Sequence, residues 1–213
     1  MKRVAALYVL ADGPYAGLPG VDVWDAHRDA RAYQGPFPVV AHPPCERWGR
    51  YWHGGPSSRV RLIKGDDGGC FKAALHAVRT YGGVLEHPAD SSAWPAFELA
   101  KPPRSGGWIP AGLCGGWTCC VYQEYYGHRA QKATWLYACG TDLPDLKWGK
   151  GTSRVRLDDE YHSAEERRRA VRTGICQRLS RRQRLETPAP FRDLLISIAR
   201  SVQSVPARDE VTS

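Results

Sequence analysis

Pro38-Val39-Val40-Ala41-His42-Pro43-Pro44-Cys45-Glu46-Arg47-Trp48 is the stretch on which the reading of this chain turns. Val39, Val40 and Ala41 form a short apolar run without polar alternation, the pattern of a strand buried on both faces. Two prolines then end it, because proline cannot donate to a ladder and holds φ near −65°. The chain leaves the sheet in a stiff loop, and Cys45 is the first reactive side chain beyond it. In open α/β sheets, chemistry gathers at the carboxyl ends of central strands. Cys45 is therefore either a nucleophile at a strand tip or a small buried hydrophobe beside a turn.

The same device recurs. Val84-Leu85-Glu86-His87-Pro88 is a second strand cut off by proline, and its tip carries Glu86 and His87. A carboxylate there either handles a base edge or a proton, or is a solvated Glu at a turn. Earlier, RVAALYVL (3–10) reads as a first buried strand. The loop ADGPYAGLPG follows; it matches neither G-x-G-x-x-G nor a Walker A motif. Val21 to Asp25 reads as a second strand ending in an acid. Asp22 or Asp25 could take ribose hydroxyls, or Asp25 could cap a helix over AHRDARAY.

CFKAALHAVRT (70–80) has the 3.6-residue period of a helix closed by Gly82-Gly83. AWPAFELA suggests a short helix. The stretch from Gly112 to Gly140 reads as two strands joined by a turn at Tyr126-Gly127 that bears His128, Arg129, Gln131 and Lys132. Residues 165–184 form an arginine-rich, helix-like segment, either a solvated face or a phosphate grip. PAPFRDLLISIARSV (188–202) is the clearest amphipathic helix, with Phe191, Leu194, Leu195, Ile198 and Val202 on one stripe. The polar stretch 46–69 interleaves Arg47, Arg50, Arg59, Arg61 and Lys64 with Trp48, Tyr51 and Trp52, which suits a lid or DNA-contact loop.

The 213 residues suffice for one α/β domain, expected as a core over 1–140, a small basic insert over 141–186 and a closing helix over 187–205. Lys and Arg number 30 against 22 acids, a net charge of +8 that fits a nucleic-acid partner. No apolar run approaches a membrane span, and the N-terminal run leads straight into the first strand, so an intracellular, cytoplasmic protein without a membrane partner is expected. The seven cysteines are odd in number and lack paired C-x₂₋₄-C knuckles, so neither disulfides nor a metal site is expected.

Taken in order, His42-Pro43-Pro44-Cys45, Glu86-His87-Pro88 and Tyr126-Gly127-His128-Arg129-Ala130-Gln131-Lys132 resemble the cytosine-5 DNA methyltransferase family. There a Pro-Pro-Cys loop supplies the nucleophile, a Glu-Asn-Val/Pro strand end the carboxylate, and a Tyr-Gly-x-Pro-Gln-x-Arg-x-Arg turn the cations. The resemblance implies a single Rossmann-like, methyltransferase-type α/β domain and modification of a pyrimidine in DNA at C5. Cys45, Glu86, Arg129 and Lys132 would be catalytic. His42, Pro44, Arg47, Trp48, Arg50, His87, His128 and Gln131 would contact the base or DNA. S-adenosyl-L-methionine would be the cofactor, held by Tyr15, Gly17, Asp22 and Asp25. The family's Phe-x-Gly-x-Gly loop is absent and the first strand lies close to Cys45, which implies a truncated cofactor half with long loops. Such reduced enzymes fit a phage or prophage setting. Two other readings stand beside this one. The first is an amino methyltransferase, from a loose likeness of His42-Pro43-Pro44-Cys45 to Asp/Asn-Pro-Pro-Tyr. The second is a DNA-binding module of the same fold without catalysis.

Overall fold

In the computed structural model, residues 1–49, 52–54, 62–153, 155, 165, 168, 172 and 179–203 are described. Seven strands occur: β1 (Val4–Leu7), β2 (Val21–Trp24), β3 (Val39–Ala41), β4 (Gly83–Pro88), β5 (Ile109–Pro110), β6 (Trp117–Tyr122) and β7 (Ala133–Cys139). They form one mixed sheet in the order β2-β1-β3-β4-β7-β6-β5. β2, β1, β3 and β4 run parallel, whereas β7 is antiparallel to both β4 and β6. The protein is thus of mixed α/β class.

The apolar runs are continuous because the central strands are covered on both faces. Alternate residues serve two cores. Ala5, Leu7, Val39, Ala41, Leu85, Trp135 and Tyr137 face α1 (Cys70–Tyr81), which presents Phe71, Ala74, Leu75 and Val78 at helical spacing. Val4, Ala6, Val40, Val84, Cys119, Val121 and Leu136 pack with Phe191, Leu195 and Ile198 of the last helix on the opposite face. That helix, Ala189–Arg200, opens on Pro188 and Pro190 and packs against β1, β3 and β4. Among the helices whose bounds are described, α2 (Ala93–Ala96) and α3 (Arg181–Leu185) lie between α1 and this one, which is labelled α4. Burying each large apolar side chain of its stripe stabilises the layer by about 1.5–3 kcal/mol.

Several expectations change. The first strand stops at Leu7, since Tyr8 takes a left-handed backbone with φ 61°. The helix expected over AHRDARAY is a turn followed by a 3₁₀ helix, Ala30–Ala32. Asp25 caps that turn, its Oδ1 accepting from the backbone of His27 at 3.0 Å and Arg28 at 3.1 Å. The short β5 had no sequence signal of its own. Of the arginine-rich segment, Glu165, Arg168 and Arg172 are helical, and α3 is a separate helix capped by Ser180; residues 166–167, 169–171 and 173–178 lie outside those described. Among the described residues no helix is long and apolar enough to cross a membrane.

The topology brings one end of the sheet together. β1, β3 and β4 finish there, β6 finishes there because two antiparallel pairings make it parallel to β4, and β7 begins there. The chain builds outward from β1 to β2, then returns to place β3 on the other side of β1, so the sheet order reverses at β1 and β3. Open α/β sheets bind ligands in the crevice outside such a reversal.

β4 can leave α1 so close to β3 because its first residue is Gly83, at φ 125°. A Cβ at that position would fall on the Val39 carbonyl oxygen. Gly83→Ala is expected to lower stability by about 3 kcal/mol, combining backbone strain with displacement of β3, as read by chemical denaturation.

Candidate active site

The alternation that builds the two cores also aims the polar residues. His42 continues the face of Val40, and Glu86 that of Val84 and Leu136, so both side chains emerge on the α4 side of the sheet end. Gln123 extends the face of Cys119 and Val121, and Thr134 stands two residues before Leu136 on the same face. Tyr15, in the loop after β1, packs into that layer and is 1% exposed.

These residues form a continuous hydrogen-bonded chain. Tyr15 Oη lies 2.8 Å from His42 Nε2, and His42 Nδ1 lies 3.0 Å from Glu86 Oε2. Gln123 Nε2 donates to Glu86 Oε1 at 3.2 Å and to Thr134 Oγ1 at 2.8 Å. Burial raises the Glu86 carboxyl, but the hydrogen bond from His42, helped by Lys132, outweighs it and holds its pKa below the usual value. The carboxylate is therefore ionised and accepts hydrogen bonds on both oxygens.

Cys45 is half-buried at the start of a turn, its carbonyl accepting from the backbone N–H of Trp48 and Gly49, each at 3.0 Å. Burial raises the thiol pKa first, the Glu86 charge raises it further, and Lys132 opposes both. Lys132 takes a positive φ of 37° and donates from Nζ to the Glu186 carbonyl at 2.9 Å. Burial lowers its ammonium pKa, while Glu86 and Cys45 act to raise it. Sulfur, carboxylate and ammonium thus act on one another electrostatically at one sheet end. Arg129, the other expected cation, is exposed on the same turn, with its carbonyl accepting from Ser153 Oγ at 2.7 Å.

Other expected contacts are placed differently. His87 points to the α1 face, opposite Glu86, because neighbours on a strand alternate. It is 1% exposed, edge-on to Phe71 and stacked on Trp94, so it belongs to the core and not to a base contact. Trp48 is likewise core, against Phe71 and Phe97, with Nε1 donating to Asp67 at 2.8 Å. His128 is buried, with Nδ1 2.9 Å from the Ala130 carbonyl and Nε2 3.2 Å from that of Gln183, so both ring nitrogens are engaged within the protein. Gln131 spends its amide on the carbonyls of Gly151 and Ser153, tying that segment to the turn. Arg47 is half-buried, and its guanidinium reaches the Trp52 carbonyl at 3.5 Å. Pro44 is exposed beside Cys45. Arg50 lies outside the described residues.

The residues expected to hold S-adenosyl-L-methionine do not form a cradle for it. Tyr15 is buried on His42. Asp22 is engaged within the protein, with Oδ1 on Arg28 at 2.7 Å and Oδ2 on the Trp24 indole at 2.9 Å. Asp25 caps its own turn, and Gly17 alone faces open space. Gln123 and Thr134 were missed from the sequence, although the period-two pattern of β6 and β7 put them on the Glu86 face. Among the described residues, no group of three or more His, Cys, Asp or Glu could hold a metal ion.

In comparisons with known proteins, no family model, no curated protein and no solved structure matches the chain.

Two measurements check this geometry. The alkylation rate of Cys45 as a function of pH should report a lower thiol pKa in Glu86→Gln and a higher one in Lys132→Met; unchanged profiles would separate the three groups. Burial of neutral His87 pushes its pKa down from 6.5 to about 4. Below 6.5 the unfolded chain takes up a proton that the folded one refuses. Stability should therefore fall between pH 6.5 and about 4, by about 3 kcal/mol at most. Denaturation of His87→Leu should show a shallower loss over that window, and parallel curves would contradict the assignment.

Proposed function

We propose that this chain is a DNA-modifying enzyme that acts at C5 of a pyrimidine, with Cys45 as its nucleophile. The observation that carries the reading is the convergence of the ends of β3 and β4 and the start of β7 at one end of the sheet, which gathers Cys45, Glu86 and Lys132 there. They stand on three elements far apart in sequence. The resemblance to cytosine-5 DNA methyltransferases supplies the reaction class, and the sheet reversal at β1 supports a Rossmann-like domain with a reduced cofactor half. The net charge of +8 favours a DNA partner.

The chemistry suits these groups. C5 of cytosine is a weak nucleophile until something adds at C6. Cys45 loses its proton, its sulfur bonds to C6, and the C5–C6 π electrons move through C4 onto N3. Lys132 opposes the charge that develops on the ring, and Glu86 accepts from the exocyclic amino group. The Cys45 proton goes to solvent. C5 would then bond to the carbon of a one-carbon electrophile, whose leaving group departs with its bonding pair, and loss of the C5 proton with expulsion of the thiolate restores the ring; without the electrophile, C5 only exchanges its hydrogen with solvent. The base must leave the helical stack to reach such a site. No step is assigned to S-adenosyl-L-methionine, because Tyr15, Asp22 and Asp25 are each engaged within the protein.

That engagement favours the second reading, a DNA-binding module without catalysis. An amino methyltransferase finds less support, because the loop offers a thiol where that chemistry needs an aromatic ring to hold the amine.

DNA containing cytosine deuterated at C5 tests the proposal, because addition of sulfur at C6 makes that position exchange with water whether or not an electrophile is present. Loss of the deuterium to solvent, read by mass spectrometry of the digested nucleosides and abolished in Cys45→Ser, is expected. DNA binding without any such exchange would favour the module.

A further inference from the structure

The buried chain behind Glu86 has a direction that follows from its donors and acceptors. Glu86 is an ionised acceptor, so the ring nitrogen facing it, His42 Nδ1, carries a proton. Tyr15 is 1% exposed, its one phenolic proton needs an acceptor, and its hydroxyl lies 2.8 Å from His42 Nε2. A neutral imidazole meets both demands in one tautomer, with the proton on Nδ1 and the lone pair on Nε2. Gln123, itself anchored on Thr134, holds the other carboxylate oxygen.

We infer that Tyr15 and His42 are positioning residues for Glu86: the phenol fixes the histidine tautomer, and the histidine then fixes the carboxylate. Neither residue therefore serves the cofactor or the DNA backbone. The inference deepens the proposed function, because it rests on that reading for what Glu86 meets. The logic is that of orienting groups behind catalytic or metal-binding histidines, where the bond at one ring nitrogen sets what the other presents. The pair also explains why a histidine precedes the two prolines. The stiff loop begins at the residue that joins β3 to the acid of β4, so the position of Cys45 and the orientation of Glu86 are set by one segment.

Nitrogen-15 spectra of the imidazole rings, with His42 assigned by the signals lost in His42→Asn, test the tautomer without requiring activity. At neutral pH, a protonated Nδ1 and an unprotonated Nε2 are expected, and Tyr15→Phe should shift both resonances. An Nε2–H tautomer, a doubly protonated ring, or a spectrum unmoved by Tyr15→Phe overturns the inference. Exchange of the C5 hydrogen of cytosine with deuterated solvent supplies the second readout. His42→Ala should slow it by about 10- to 100-fold, the usual cost of losing an orienting partner. His42→Asn, whose amide can still donate to Glu86, should recover most of the rate; Asn as poor as Ala overturns the positioning role. Wild-type protein without any exchange defeats the proposed function, and the spectra still decide the pair.

Discussion

A single hydrogen bond, from His42 Nδ1 to Glu86 Oε2 at 3.0 Å, joins the ends of β3 and β4 and makes the rest of the site possible. A carboxylate taken out of water without partners would neutralise or drag water in. With His42 on one oxygen and Gln123 on the other, Glu86 remains charged inside the protein. That charge sets the electrostatic balance of its neighbours: it raises the Cys45 thiol and supports the Lys132 ammonium. At rest the sulfur is a protected thiol. A ligand that paired with Glu86 would remove part of what holds the proton on Cys45, which couples occupancy to nucleophilicity.

The sheet divides labour between its faces. Toward α1, the strand ends deliver His87, Trp135 and Tyr137 into an aromatic core with Phe71 and Trp94. Toward α4, the neighbouring positions deliver Tyr15, His42, Glu86, Gln123 and Thr134, a polar layer lying over the apolar residues that α4 covers. One residue of register separates a core histidine from the acid of the polar layer. Glu86-His87 is therefore not one motif but two adjacent residues with opposite tasks.

The strand tips were legible because proline leaves an unmistakable mark. His42-Pro43-Pro44-Cys45 and Glu86-His87-Pro88 both end strands, and topology does bring them to one end of the sheet with the β6–β7 turn. Helix α1 and helix α4 were legible from period and from their glycine and proline boundaries. Roles were harder to read. His87, Trp48 and His128 carry groups that suit DNA, but burial depends on which neighbours the fold supplies, and local sequence does not encode that. Tyr15 resembled a cofactor-loop residue because its partner, His42, lies on another strand. Gln123 and Thr134 drew no notice, since an amide and a hydroxyl gain meaning only beside the carboxylate they orient. The helix expected over AHRDARAY gave way to a turn because Asp25 and Asp29 each bind the backbone two residues on, competing with helical hydrogen bonds.

The central claim is that Cys45, Glu86 and Lys132 surround one extruded pyrimidine. A crystal structure of the protein with duplex DNA carrying 5-fluorocytosine tests it most directly. The account predicts a rotated-out base with Cys45 Sγ against C6, its amino group on Glu86 and Lys132 beside the ring. A base left stacked in the duplex, or seated at another part of the surface away from Cys45, would contradict it.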